Sequence, residues 1–175
     1  MQNSLFILET ERLVLRYQLA SDVPFLTDLW ADPAVTRYMG GPRDRDWLRS
    51  LFEETAKNPK AERYDLWPVV EKDTGRVVGH CGLLDKEVED RAEIELSYVF
   101  SPAVWGKGYA TEIAAAIKQW AMETMGLGRL IALIEPENAA SERVAIKIGM
   151  HLEKETIRPG GARRRVYVVE ARDKE

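Results

Sequence analysis

Two glycines and a lysine are the residues of this chain with the clearest chemical meaning. Gly106, Lys107 and Gly108 follow a strand-like run and stand directly before a helical pattern. Glycine lacks the Cβ atom that keeps a ligand away from the main chain, and converging N–H groups at a helix N-terminus suit a phosphate or pyrophosphate. Lys107 adds a positive charge at the same place. The segment therefore predicts a binding loop for a phosphate-bearing ligand.

Two common phosphate loops fit this segment poorly. A Walker A loop needs Ser or Thr directly after its Gly-Lys pair to hold magnesium, but Gly108 follows Lys107 here. A dinucleotide fingerprint needs a third glycine and an acidic residue about 20 positions further on. Ala110 and Thr111 supply no third glycine. The loop is therefore expected to be of another type.

Length and composition narrow the class of protein. We predict one domain over residues 1–175, because 175 residues suffice for a single core. A net charge of −4 argues against a general nucleic-acid binder. Cys81 is the only cysteine and there are two histidines, so we expect neither an intrachain disulfide nor a metal site. The apolar run within residues 1–8 is too short for a signal peptide or a membrane span, so we expect a cytoplasmic protein with no membrane partner.

The elements that must position this loop can be read from periodicity. The pattern predicts an α+β fold with a mixed sheet and flanking helices, because consecutive hairpins do not fit a doubly wound sheet. A helix is expected to begin near Ser21-Asp22-Val23-Pro24, where a capping side chain and a proline stand together. Strands are predicted at 11–19, 66–71, 76–83, 91–100, 129–135, 151–156 and 164–170, and further helices at 34–39, 44–57, 111–125 and 141–148.

Four separated segments resemble the RimJ/RimL-like branch of the GNAT superfamily, the acyl-CoA-dependent N-acetyltransferases. They are 8–16 ("T-x-R-L-x-L-R"), 78–83 ("I-G-x-x-G-L"), 95–112 and 138–150 ("N-x-x-S … G-F"). The family loop reads Arg/Gln-x-x-Gly-x-Gly/Ala, which Gly108-Tyr109-Ala110 fits at its last three positions. Trp105 replaces the leading Arg or Gln, and Met150 replaces the usual aromatic residue. The resemblance implies a GNAT fold, with a mostly antiparallel sheet of about seven strands, and acetyl-CoA as co-substrate.

The resemblance also implies which residues hold acetyl-CoA. The backbone at the end of the fourth family strand would pair with the pantetheine arm, and the loop amides would hold the pyrophosphate. Asn138 would anchor the loop or the pantetheine, although Asn before a helix is also an ordinary cap. The implied cofactor-binding residues are Val99, Phe100, Ser101, Trp105, Gly106, Lys107, Gly108, Tyr109, Ala110, Thr111, Asn138 and Ser141.

Acetyl transfer to an amine needs a group that removes a proton, because an amine with a pKa of about 8 to 10 is mostly protonated at pH 7. Glu95 matches the fourth-strand glutamate of the family and is the first candidate for a base. Glu93 lies two residues earlier on the same strand face and is the substitute. Ser141 could give a proton to the leaving thiolate. Each has a plain structural alternative, a solvated strand face for the glutamates and a helix cap for the serine.

The acceptor amine is not encoded in any of these motifs. A protein N-terminus and a small-molecule amine (polyamine, amino acid or antibiotic) both stay open, as does a non-catalytic acyl-CoA-binding module. The Arg163-Arg164-Arg165 run reads as a solvated turn or as a contact for an acidic acceptor. A homodimer is expected only by family resemblance, and no nucleic-acid partner is expected.

Overall fold

A computed structural model of the chain describes residues 5–171. Within that range, one sheet contains eight strands, and helices cover both of its faces. The strands are β1 (Phe6–Glu9), β2 (Leu13–Arg16), β3 (Leu66–Glu71), β4 (Val77–Val88), β5 (Arg91–Phe100), β6 (Arg129–Ile134), β7 (His151–Ile157) and β8 (Arg163–Glu170). The α-helices are α1 (Val23–Ala31), α2 (Pro33–Thr36), α3 (Arg45–Lys57), α4 (Tyr109–Glu123) and α5 (Ala139–Lys147).

The strand order is β1-β2-β3-β4-β5-β6-β8-β7. Neighbouring strands are antiparallel except β5 and β6, which run parallel and are paired at Glu95 and Ile131. The crossover between these two strands contains α4, as a parallel connection requires. The predicted α+β class is confirmed. The sheet has eight strands instead of about seven because Phe6–Glu9 pairs with β2 as an edge strand.

The two faces of the sheet pack against different helices. On one face, Leu83 and Leu96 are buried against Ile113 and Ile117 of α4. Each fully buried aliphatic side chain of this kind stabilises the fold by about 1.5–3 kcal/mol. On the other face, α1 and α3 share a smaller core that includes Phe52. The last half of β5 therefore lies between two helical layers, with its side chains alternating between them.

Helix ends follow the sequence signals. Asp44 caps α3 by accepting a hydrogen bond from the Trp47 N–H, and Pro24 lies in the first turn of α1. Gly126 and Gly149 end α4 and α5 with φ angles of +72° and +89°, a conformation that favours glycine. Only some of the large apolar side chains of α3 are buried. Leu48 and Phe52 are buried, but Trp47 is 56% and Leu51 is 43% exposed, because their side of α3 has no layer above it.

Candidate functional site

The glycine loop, residues 105–111, has the conformation that its sequence demands. Gly106 and Gly108 have φ angles of +78° and +80°, in the left-handed region that costs other residues about 1–2 kcal/mol. Gly108 is the N-cap of α4, and its carbonyl accepts the Glu112 N–H at 3.1 Å. The first N–H groups of α4 have no acceptor within the helix, and the helix dipole makes this end positive. The loop therefore offers donors to an anion.

The loop is held from one side by a group that we call the brace, consisting of Thr10, Arg12 and Glu112. The Arg12 guanidinium donates to the Lys107 carbonyl at 2.9 Å and to the Glu112 carboxylate at 2.7 Å. Thr10 Oγ1 and the Arg12 N–H also donate to Glu112, at 2.6 and 2.9 Å. Burial acts to raise the pKa of Glu112, but these hydrogen bonds outweigh it and lower the pKa. The carboxylate stays charged and fixes the first turn of α4.

Glu71 at the end of β3 is a second anchor of the loop and lies next to the brace, because it pairs with Leu13 of β2. Its carboxylate accepts hydrogen bonds from the Tyr109 hydroxyl at 2.6 Å and from Thr74 at 2.8 Å, and Lys107 Nζ lies 3.4 Å away. The Tyr109 hydrogen bond contributes most to lowering the pKa of Glu71, and it raises the pKa of Tyr109. The two loop side chains are therefore anchored to the sheet.

Only one of the three predicted residues at the end of β5 directs its main chain toward β6. The Ser101 N–H donates to the Val78 carbonyl at 3.0 Å, and Val99 pairs with His80, so these two residues bond to β4. Because successive residues of a strand point to opposite sides, Phe100 presents its N–H and C=O to the side of β6. The Trp105 indole donates to this Phe100 carbonyl at 2.9 Å.

Tyr98 connects the end of β5 to the start of α5. Its hydroxyl donates to the Ser141 carbonyl at 2.9 Å, and burial raises its pKa. Asn138 caps α5 by accepting the Ser141 N–H at 3.2 Å, and Asn138 Nδ2 donates to Ser141 Oγ at 3.0 Å. The serine oxygen accepts in that bond, so its own proton is available for donation. The strand predicted at residues 91–100 gave no indication of this connection.

Glu95 lies with its carboxylate largely out of water, at 13% exposure. Burial raises its pKa, while Lys86 Nζ at 3.5 Å and the N–H of Leu133, which donates to the carboxylate, limit the rise. A carboxylate whose ionised form is disfavoured by burial binds a proton more readily than an exposed one. Glu95 thus has the electrostatics of a base, on the strand that leads into the glycine loop.

Glu93 is not brought together with Glu95 and the glycine loop. Its carboxylate pairs with Arg129 at 3.1 Å and with Arg91 at 3.4 Å. Arg129 also pairs with Glu153 and Glu170, at 2.8 and 3.1 Å. The hydrogen bond that Arg129 donates to Glu153, followed by those that it donates to Glu93 and Glu170, raises the pKa of Arg129. Glu93 thus lies in an ion-pair cluster that joins β5, β6, β7 and β8.

His80 and Cys81 are buried within β4. His80 accepts the Trp30 indole N–H at 3.0 Å, and burial lowers its pKa to about 4, so its side chain is neutral at pH 7. Burial raises the pKa of the Cys81 thiol, which removes the thiolate that a nucleophile would need. Across residues 5–171, no cluster of three or more His, Cys, Asp or Glu side chains could hold a metal ion, and no helix there is long and apolar enough to cross a membrane.

A pocket of about 370 Å³ lies beside the start of α5, and we call it the arginine pocket. It forms where the turn after α2, the β6–α5 loop and the β7–β8 hairpin meet. The Glu135 carbonyl accepts the Asn138 N–H at 2.9 Å, so the pocket wall continues into the cap of α5. Its lining residues are Arg37, Gly40, Glu135, Pro136, Glu137, Ala162, Arg163 and Arg164. A larger groove of 630 Å³ between α1 and α3 contains none of the predicted site residues.

Comparisons with known proteins cover the same region. A family model described as the acetyltransferase (GNAT) domain matches residues 12–151. The uncharacterized protein YkkB of Bacillus subtilis is 38% identical over 152 residues, which cover 86% of this chain and 88% of that protein. The uncharacterized N-acetyltransferase p20 of Bacillus licheniformis is 31% identical over 154 residues, 83% of either chain. The crystal structure of a GNAT-family acetyltransferase from Bacillus anthracis aligns with a TM-score of 0.80 at 29% identity, over 94% of this chain and 98% of that one.

Proposed function

Because the chain belongs to the GNAT acetyltransferase family, we propose that it transfers the acetyl group of acetyl-CoA directly to a primary amine. The family membership makes it an N-acetyltransferase that uses acetyl-CoA and an amine. The direct mechanism, the residue roles and the type of acceptor are the proposal. The observation that supports the proposal best is the glycine loop at the N-terminus of α4, which the brace and Glu71 fix in place.

The residues of the loop fit a diphosphate. A Cβ atom built on Gly106 would meet no heavy atom within 4 Å, so the main chain there faces open space. The positive end of α4 and the Lys107 ammonium favour an anion at this position. Lys107 Nζ lies 3.4 Å from the Glu71 carboxylate, which is long for a hydrogen bond. The ammonium group can therefore turn toward a phosphate without losing a strong hydrogen bond. The amides of residues 105–111 would hold the pyrophosphate of acetyl-CoA.

The end of β5 fits the pantetheine arm. Phe100 directs its N–H and C=O away from β4, and Tyr98 does so two residues earlier because the strand alternates. An amide chain lying beside β5 would pair with Phe100 as a further strand does. The Tyr98 N–H would then point at the acetyl carbonyl, where a donor stabilises the developing oxyanion.

Glu95 would accept the proton that the attacking ammonium must lose, directly or through a water molecule. The neutral amine nitrogen attacks the thioester carbon, the C–S bond breaks, and the sulfur leaves as a thiolate. Ser141 would give its proton to that thiolate, because Asn138 already donates to the Ser141 oxygen, and would regain one from the acceptor nitrogen, which must lose its extra proton as the amide forms. Glu93 has a structural role in this scheme, since Arg129 and Arg91 hold its carboxylate. The buried Cys81 forms no acyl-enzyme.

A protein N-terminus and a small-molecule amine both remain candidate acceptors, and the RimJ/RimL-like branch, a cytoplasmic location and a homodimer remain predictions from the sequence. The mechanism is tested by measuring thiol release from acetyl-CoA with a panel of amines and short peptides. Release with at least one amine, at a rate that rises with amine concentration, supports transfer. Binding of CoA in calorimetry without thiol release across the panel would favour a non-catalytic acyl-CoA-binding module.

The position of the diphosphate is tested with two glycine variants of the same helix. Gly106→Ala and Gly126→Ala both place a Cβ at a positive φ, with no neighbouring atom within 4 Å. We expect both variants to lose about 1–2 kcal/mol of folding free energy in thermal or denaturant unfolding. Only Gly106→Ala should weaken CoA binding in calorimetry, by about tenfold or ~1.4 kcal/mol. Equal CoA affinity for the two variants would place the ligand elsewhere.

A further inference from the structure

We propose, on the basis of the proposed function, that the acceptor amine carries a carboxylate or another acidic group, which the arginine pocket and the adjoining turn bind. The turn comprises residues 37–43, between α2 and α3. It contains two guanidinium groups, Arg37 and Arg43. Among residues 5–171, no carboxylate lies within ion-pair distance of either group.

The pocket is placed to receive the part of an acceptor that lies beyond its amine. Three chain segments form its walls, and one of them leads through Glu135 and Pro136 to Asn138. Asn138 orients Ser141, which the Tyr98 hydroxyl links to the end of β5. The pocket wall is therefore connected, through the cap of α5, to the strand that would hold the thioester.

Two of the three arginines that line the pocket form ion pairs with glutamates in the described part of the chain, and the third does not. Arg163 donates to Glu155 of β7 at 2.7 Å, and Arg164 lies 3.7 Å from Glu135. Arg37 is exposed and has no carboxylate or carbonyl partner among residues 5–171, and its guanidinium carbon lies 5.1 Å from the centre of the Tyr38 ring. The lining contains three arginines and two glutamates, so it is net positive. Its free donors suit a carboxylate, to which a guanidinium can bind through two parallel hydrogen bonds.

Arg43 gives the second and independent observation. Its guanidinium is half-buried and stacks on Trp30, with the carbon 5.5 Å from the ring centre. It donates to the Gly41 carbonyl, one residue from the pocket wall at Gly40. Burial lowers its pKa. Arginines removed from water are normally paired, and an unpaired one retains several donors for an incoming anion.

Size and charge favour a small acidic amine over the other acceptor classes. A volume of about 370 Å³ is at the lower end of ligand pockets, which suits a molecule of amino-acid size. A polyamine would require mostly carboxylates around it, whereas here Arg164 already neutralises Glu135. Glu137 is exposed at the rim of the pocket. Its carboxylate can attract the ammonium group of the acceptor as the acceptor enters.

The test compares three amines that share one phenethyl skeleton, phenylalanine, phenylalaninamide and phenethylamine, with spermidine as a fourth substrate. Each rate is referred to the concentration of neutral amine, because the ammonium pKa values of these compounds differ. We expect kcat/KM, measured by thiol release from acetyl-CoA, to be at least about tenfold higher for phenylalanine, since that factor corresponds to ~1.4 kcal/mol. Arg37→Gln and Arg43→Gln should each reduce this preference. Arg49→Gln is the matched control, because Arg49 is an exposed arginine of α3 that pairs with Asp46.

The possible outcomes separate this inference from the proposed function. Equal kcat/KM for the acid and the uncharged amines, or a preference for spermidine, overturns the acidic acceptor and leaves acetyl transfer intact. Absence of thiol release with every amine overturns the proposed function.

In that case calorimetry on the CoA-loaded protein still decides the ligand chemistry of the pocket. Binding of N-acetylphenylalanine that is at least tenfold tighter than that of its amide, and is weakened in Arg37→Gln, supports an acid site. Equal or undetectable binding of both overturns it.

Discussion

The glycine loop follows β5, whereas the arginine pocket is lined in part by the loop that follows β6, and the charged side chains of the two regions differ in how they are paired. Around the loop, the carboxylates of Glu71 and Glu112 are satisfied by donors of the chain itself. Around the pocket, Arg37 and Arg43 have no carboxylate partner among the described residues. The loop is therefore built before any ligand arrives, whereas the pocket leaves part of its hydrogen bonding to the ligand.

This difference corresponds to two kinds of ligand. A preformed site loses little conformational entropy on binding, which suits a co-substrate that is the same in every turnover. Unpaired donors in a half-buried site reject molecules that cannot satisfy them, because a desolvated charge without a partner is costly. The first arrangement supplies affinity and the second supplies selectivity, so variants of the two regions should separate these properties.

The largest effect on the reaction rate is expected from a substitution of Glu95 in β5. Glu95→Gln removes the proposed base and should lower kcat about 100-fold, while CoA affinity in calorimetry stays the same. Burial raises the pKa of Glu95, so the carboxylate is protonated at low pH and the rate should rise as pH increases through that raised pKa. The variant should lose this limb of the pH–rate profile.

Glu93→Gln is the control for Glu95, because Glu93 lies two residues earlier on the same face of β5. It should lower the midpoint of thermal unfolding, since it leaves Arg129 with fewer partners. It should retain the rising limb of the pH–rate profile. A loss of that limb in Glu93→Gln and its persistence in Glu95→Gln would exchange the roles of the two glutamates.

The two regions also differ in how far the sequence predicts them. The residue range of β5 and the positive φ angles of Gly106 and Gly108 follow from the sequence, since alternation and glycine are local signals. The short β1 was not predicted, because its four residues give no alternating pattern and its identity depends on pairing with β2. The arginine pocket was not predicted because segments far apart in sequence form it, and only the folded sheet brings them together.

Side chains with a structural role in the site were missed for a related reason. Alternation along β5 puts Tyr98 on the same face as Leu96, but it does not show that the tyrosine hydroxyl reaches α5. The brace joins residues 10 and 112, and the sequence shows them only as members of two separate motifs. Glu71 stands at the end of a strand, and nothing around it in the sequence indicates the contact with Tyr109.

An intermediate effect is expected when the brace is broken. Glu112→Gln removes the charge that holds Arg12 and Thr10, so the first turn of α4 becomes less fixed. The KM for acetyl-CoA should rise about fivefold, or ~1 kcal/mol, the net contribution of a typical hydrogen bond, with kcat changed less than twofold. Steady-state kinetics with acetyl-CoA varied at a saturating acceptor concentration measure this.

Glu123→Gln at the opposite end of α4 is the matched control for the brace. Glu123 is exposed, and within the described part of the chain its carboxylate accepts a hydrogen bond only from Gln119. It should leave the KM for acetyl-CoA unchanged. The comparison of the two regions also requires that Glu112→Gln leave the KM of the acceptor unaltered. An equal rise in both KM values would show that the loop and the pocket are not independent.

The smallest effect is expected at Trp105, whose indole donates to the Phe100 carbonyl at 2.9 Å. In the proposed complex an amide N–H of pantetheine approaches the same carbonyl. Trp105→Phe removes the competing donor and keeps an aromatic ring, so CoA should bind about two- to threefold more tightly, within the ~0.5–1.5 kcal/mol of a neutral hydrogen bond. Calorimetry of the wild type and the variant measures the change.

Because Trp105 is 54% exposed, the substitution should hardly alter the unfolding midpoint. Weaker CoA binding at an unchanged midpoint would mean that the indole itself contacts the cofactor, so that the loop, like the pocket, completes its contacts only with the ligand.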